Sequence, residues 1–130
     1  MAMAQPLLKY SLTMRVLIAE DTDSVRFALR LAMEYLGHEV VGVASDGQEA
    51  LEEYHRVRPE VVLMDVRMPR MDGLTCTSLL AKQDPNVKVV IVTGGRTSEH
   101  EAREAGARGF VEKPFEIEQL GRLIRSLAAA

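Results

Sequence analysis

Apolar residues after Thr13 gather into five short runs, and each run is followed by a stretch with helical spacing or a helix-forming composition. The runs are Val16–Ala19, Val40–Ala44, Val61–Met64, Val87–Val92 and Gly109–Val111. They are rich in valine and lack strict alternation, which suits strands covered on both faces of a parallel sheet. Between them, Val25, Ala28, Leu29, Ala32 and Leu36 form one stripe of a first helix, and Gly37 stands where a helix stop belongs. Ala50, Leu51 and Tyr54 mark a second helix ending before Pro59. A third runs from about Leu74 to Gln83, and a fourth from Ser98 to Ala105 before Gly106. The last helix carries Ile117, Leu120, Ile124 and Leu127 on one face. Five strand–helix repeats with short connections predict a single doubly wound α/β domain, because right-handed crossovers place helices on both sides of the sheet.

The chain has 130 residues, 47% of them hydrophobic, which is enough for one core and too few for two ordinary domains. With 16 basic and 19 acidic residues dispersed along it, the chain offers no basic face to track a phosphate backbone, so direct nucleic-acid binding is not expected. A single cysteine, Cys76, excludes an internal disulfide, and no Cys/His spacing resembles a zinc site. No apolar stretch approaches a membrane span and the start lacks a signal-peptide pattern, so a cytoplasmic protein with no membrane partner is expected. Residues 1–13 show no period and are expected to be a flexible extension, with the folded domain over 14–130.

In an open α/β sheet, ligands bind beyond the carboxyl ends of the strands, where the strand order reverses. Here those ends are acidic: Glu20 and Asp21 close the first strand and Asp65 closes the third. In the order 2-1-3-4-5 these two strands flank the switch point, so three carboxylates should converge. Such a cluster calls for a hard divalent cation, and Mg²⁺ is the natural choice because it accepts a few carboxylates together with a phosphate oxygen. The bland alternative is that each acid caps the following helix. Thr93 and Lys113, at the ends of the fourth and fifth runs, supply a hydroxyl and an ammonium at the same edge, which suits an anion beside the acids. On this reading Asp65 is the nucleophile of a phosphoryl transfer, and Thr93 and Lys113 hold the phosphate. Pro69 and Gly73 fix the loop after Asp65, one by rigidity and the other by permissiveness. His38, His55 and His100 are isolated and read as surface or half-buried side chains, Cys76 as packing, and Glu99, Glu101, Arg103 and Glu104 as a solvated helix face.

Two rivals remain at this point. Asp21-Thr22-Asp23 after an apolar strand mimics the nucleophile motif of a haloacid-dehalogenase-like phosphatase, although no acidic pair follows a later strand. A flavodoxin-like module would cradle a phosphate after the first strand, where Glu20 and Asp21 would repel it.

Over nearly all of 14–130 the sequence resembles the response-regulator receiver domain, the CheY-like family of two-component signalling. The resemblance rests on Val16-Leu-Ile-Ala-Glu-Asp21, on Val62-Leu-Met-Asp65-Val-Arg-Met-Pro69-Arg-Met-Asp-Gly73, on Ile91-Val-Thr93-Gly94, and on Gly109-Phe110-Val-Glu-Lys113-Pro114-Phe115. It implies a phosphoacceptor rather than an enzyme, with Asp65 receiving a phosphoryl group from a histidine kinase or phosphotransfer protein. It further implies Mg²⁺, or Mn²⁺ in its place, held by Asp21, Asp65 and the Arg67 carbonyl, with Glu20 reaching it through water. Thr93, Gly94, Phe110, Lys113 and Pro114 become the phosphate-binding and switch residues, with a cis bond before Pro114. Phosphorylation would then reshape the fourth helix, fifth strand and fifth helix for docking to a downstream protein or for homodimerisation. The family pattern is broken by Glu20, where a first Asp is commoner, by Gly94, and by Phe110 in place of tyrosine.

Overall fold

The structure, a computed structural model, describes residues 13–128; apart from Thr13, the extension expected over residues 1–13 lies outside that range. The chain alternates β1 (Arg15–Ala19), α1 (Asp23–Tyr35), β2 (Glu39–Ala44), α2 (Gly47–Val57), β3 (Val61–Met64), α3 (Gly73–Gln83), β4 (Val89–Thr93), α4 (Glu99–Ala105), β5 (Gly109–Glu112) and α5 (Ile117–Ala128). The five strands form one parallel sheet in the order β2-β1-β3-β4-β5, as the pattern predicts.

Two apolar cores lie on the two faces of the sheet. Alternate strand residues Leu17, Ala19, Val62, Met64 and Ile91 pack with Ala50 and Tyr54 of α2, Cys76 and Leu80 of α3, and Ala102 of α4. Val16, Ile18, Val61, Leu63, Val90 and Val92 face the other way, onto Leu29, Ala32 and Met33 of α1 and Leu120, Ile124 and Leu127 of α5. Because β1, β3 and β4 are buried on both faces, their central side chains are apolar on both sides, which removes alternation from the sequence.

Boundaries differ from the expected ones where local polar bonds intervene. β4 starts at Val89 rather than Val87, because Asp84–Val87 is a turn closed by the Val87 N–H on the Asp84 carbonyl and by the Asn86 N–H on the Asp84 carboxylate, both at 3.0 Å. Ser98 sits outside α4 as its N-cap and exchanges bonds with Glu101 in a capping box. The apolar stripe of α1 shifts: Met33 is fully buried whereas Ala28 is exposed. Ile117 at the head of α5 is also exposed, so the expected face of that helix begins in earnest at Leu120. Gly37 does end the first helical segment, at φ 89°, a left-handed backbone that a glycine adopts without strain.

Candidate functional site

Each acidic or basic side chain of interest is delivered by the end of a strand. The Asp65 N–H donates to the Ala19 carbonyl at 2.9 Å and the Glu20 N–H to the Ala44 carbonyl at 2.9 Å, so the ladder itself holds the backbone of both carboxylates. On the opposite flank, the Lys113 N–H donates to the Thr93 carbonyl at 2.8 Å, which extends the β4–β5 pairing to the lysine. The Lys113–Pro114 peptide is cis. After Asp65 the chain turns back sharply: the Gly73 N–H donates to the Val66 carbonyl at 2.8 Å, and a Cβ on Gly73 would fall 1.8 Å from the Asp65 carbonyl oxygen. Only glycine fits there, which is the physical content of the Pro69/Gly73 loop signal.

Carboxylate oxygens of Glu20, Asp21 and Asp65 lie within 4.8 Å of one another. Lys113 answers them, its Nζ 2.7 Å from Glu20 Oε1 and 3.7 Å from Asp65 Oδ1. Glu20 is 1% exposed and Asp65 8%. Burial, and then the Glu20 charge, push the Asp65 carboxyl up to about 6, against the pull of Lys113. Thr93 is buried with its Oγ1 accepting the Gly95 N–H at 3.1 Å. Together with Arg67, Gly94, Gly95 and Arg96, these groups line an open cleft of about 580 Å³. The capping alternative for the acids does not hold, since the residues at the N-caps of α1 and α3 are Thr22 and Asp72.

Seven residues named from the sequence thus meet in one cleft: Glu20, Asp21, Asp65, Arg67, Thr93, Gly94 and Lys113. Phe110 and Pro114 do not line it. Phe110 pairs in register with Ile91 and is half-buried against the α2–α4 core, on the face of the sheet to which Thr93 also belongs by alternation. Pro114 is exposed. The side chains of Arg67 and Arg96 were not anticipated, because in the sequence each is one arginine in a polar loop. Asp23, which a dehalogenase-like site would require, has a side chain 91% exposed and paired with Arg26 outside the cleft. His55 and His100 are exposed, as read, but His38 is buried rather than half-buried, its Nδ1 accepting the Met14 N–H. Burial pushes the Cys76 thiol up to about 12, consistent with packing.

Fold and site together define a doubly wound α/β protein that gathers three carboxylates, a hydroxyl and an ammonium at its topological switch point. The model of the response regulator receiver domain matches residues 16–125. The chemotaxis protein CheY of Thermotoga maritima is 38% identical over 115 residues, 87% of this chain and 93% of CheY. The transcriptional regulatory protein PdtaR of Mycobacterium tuberculosis is 42% identical over 107 residues, 82% of this chain but 52% of PdtaR. The chain therefore spans nearly the whole of one relative and about half the length of the other. Among solved structures, CheY in a CheX–CheY–BeF3–Mg²⁺ complex from Borrelia burgdorferi superposes with a TM-score of 0.82 at 27% identity, covering 88% of each chain. The chain belongs to the response regulator receiver domain family and is a receiver domain of two-component signalling. Neither the dehalogenase-like nor the flavodoxin-like alternative gains support from these relatives.

Proposed function

We propose that Asp65 is the phosphoacceptor, receiving a phosphoryl group from the phosphohistidine of a histidine kinase or phosphotransfer protein. The observation that carries this reading is Lys113 Nζ lying between the Glu20 and Asp65 carboxylates at the switch point, an ammonium placed for an anion that arrives at Asp65. Asp65 attacks phosphorus, a bond from its carboxylate oxygen to phosphorus forms, and the donor nitrogen departs. Lys113 leaves its carboxylate partners for a phosphoryl oxygen, and Thr93 turns its hydroxyl to another. Gly94 keeps the adjacent wall free of side chain. Protein groups in such transfers mainly position the phosphoryl group and stabilise its charge.

Three clustered carboxylates, one of them raised toward neutrality by burial and then by the Glu20 charge, are a hard-oxygen donor set that fits Mg²⁺, or Mn²⁺ in its place. Asp21, Asp65 and the Arg67 carbonyl would hold the ion directly and Glu20 through water. When bound, it supplies positive charge shared between the carboxylates and the phosphoryl oxygens. The chain so read assists only its own phosphorylation and dephosphorylation and turns over no separate substrate. Thr93 and Phe110 form the link from phosphate to surface, and Lys113 and Pro114 the contact with the phosphate.

The donor protein docks, in this reading, on α1. Phe27, Leu31 and Tyr35 recur every four residues and are 62%, 49% and 75% exposed, and an apolar groove of about 340 Å³ between α1 and Phe115/Ile117 adjoins the cleft end of the same helix. Among the described residues no helix is long and apolar enough to cross a membrane, and a cytoplasmic location is part of the proposal. The downstream protein target is reached through the phosphorylated surface, by docking or by homodimerisation. The test is incubation with acetyl phosphate and Mg²⁺ followed by intact-mass analysis: the parent gains one phosphoryl group and Asp65→Asn gains none. An adduct retained by Asp65→Asn sinks the assignment.

A further inference from the structure

Two guanidinium groups stand at the cleft with nothing to do in the scheme above. Arg67 and Arg96 both line it and both are exposed, yet among the described residues neither forms an ion pair, although three carboxylates share the same cleft. Lys113 alone pairs with those acids. The loop between the two arginines is stripped of side chains at Gly94 and Gly95. A Cβ on Gly95 would lie 3.5 Å from Arg67 Nε and 3.6 Å from Thr93 Oγ1, so the Arg67 guanidinium and the Thr93 hydroxyl both face the bare glycine. The lining carries three acids, Glu20, Asp21 and Asp65, and three bases, Arg67, Arg96 and Lys113. A divalent cation would leave it in net positive balance, suited to a dianionic donor.

Position decides what the arginines can reach. In a phosphoryl transfer the attacking and leaving atoms lie roughly in line on opposite sides of phosphorus. With Asp65 buried at the floor, the leaving group must point to the cleft mouth, where Arg67 and Arg96 are. Resting on the reading of Asp65 as phosphoacceptor, the geometry points to Arg67 and Arg96 as a leaving-group clamp that favours acyl phosphates over phosphoramidate donors. As the Asp65 oxygen–phosphorus bond forms, the phosphorus–oxygen bond of an acyl phosphate breaks and its electron pair departs on a carboxylate. A guanidinium fork matches that carboxylate with two parallel N–H donors. A nitrogen leaving group departs neutral, taking a proton, and gains nothing from the fork. The interaction therefore grows during one reaction and not the other, which is the condition for a rate effect.

The experiment measures the second-order rate of Asp65 phosphorylation by acetyl phosphate and by phosphoramidate, with Mg²⁺, in the parent, Arg67→Gln, Arg96→Gln and the double variant. The acetyl phosphate to phosphoramidate ratio should fall about tenfold in the double variant, the scale of one charge-assisted bond. Arg67→Lys, which keeps charge without the fork, should recover part of it. Gly95→Leu, which drives a side chain between Arg67 and Thr93, gives an independent route to the same fall. A ratio unchanged across the set, or both donors slowing equally, overturns the clamp while leaving Asp65 in place. A parent that accepts phosphate from neither donor refutes the Asp65 reading itself, and the clamp with it.

Discussion

Asp65 holds two demands in tension: a nucleophile must be ionised, yet its surroundings resist the charge. Burial is the larger cause and Glu20 the next, and together they lift the carboxyl from its ordinary value of 3.8 to about 6. Between those values the folded protein keeps a proton that the unfolded chain has released. Folding stability therefore falls as pH rises through this window, and above about pH 6 the whole cost of the charged carboxylate is present. In metal-free protein Asp65→Asn should raise the melting midpoint at about pH 7.5, offset in part by whatever Lys113 loses, and the gain should vanish near pH 4. Mg²⁺ should stabilise the parent in proportion to its occupancy, most strongly above pH 6, with the effect fading as Asp65 takes up its proton. Asp21→Asn should remove most of that stabilisation and Glu20→Gln less. Thermal melts with and without Mg²⁺ at several pH values check both; an Mg²⁺ response equal in Asp21→Asn and parent would place the ion elsewhere.

Elements explain why some of this was legible in the chain and some was not. The carboxylates, Thr93 and Lys113 could be placed because a parallel sheet with an apolar run for each strand puts every run's end at one edge. The Arg67 and Arg96 side chains escaped notice because nothing local distinguishes an arginine over a cleft from one in solvent. α1 shows the limit of periodicity most clearly. The stripe read from the sequence, Val25, Ala28, Leu29, Ala32 and Leu36, does meet the sheet apart from the exposed Ala28, but a second apolar stripe, Phe27, Leu31 and Tyr35, lies beside it on the same helix. The strands choose, and the other stripe is left in water. If that stripe receives the donor protein, Leu31→Arg should slow transfer from a phosphohistidine partner by at least about tenfold, the scale of a lost apolar anchor. Phosphorylation by acetyl phosphate and the melting midpoint should hardly move, as for most surface substitutions. Parallel rates with the two donors check this, and equal transfer by parent and variant would direct attention to another face.

Across the whole molecule, the chemistry must be felt at a distance. Thr93 lies on the same face of the sheet as Phe110 and opens the loop into α4, so a hydroxyl drawn toward a phosphate would change the room available to the half-buried ring. For that to act as a switch, the phosphate must favour one arrangement by a few kcal/mol. Beryllofluoride with Mg²⁺ should therefore shift amide resonances across 96–105 and 110–122 in the parent, and much less so in Thr93→Ala. Shifts confined to 20–22 and 65–67 would place the output elsewhere. The same architecture disposes of a practical matter. Thr13 and Ala128, the first and last described residues, line one cleft of about 340 Å³ with Pro59 and Lys88, at the rim where the strands begin. The entry and exit of the fold are thus neighbours on the side away from the phosphate. A host polypeptide could carry this unit as an insert in a surface loop and leave the Asp65 cleft facing outward.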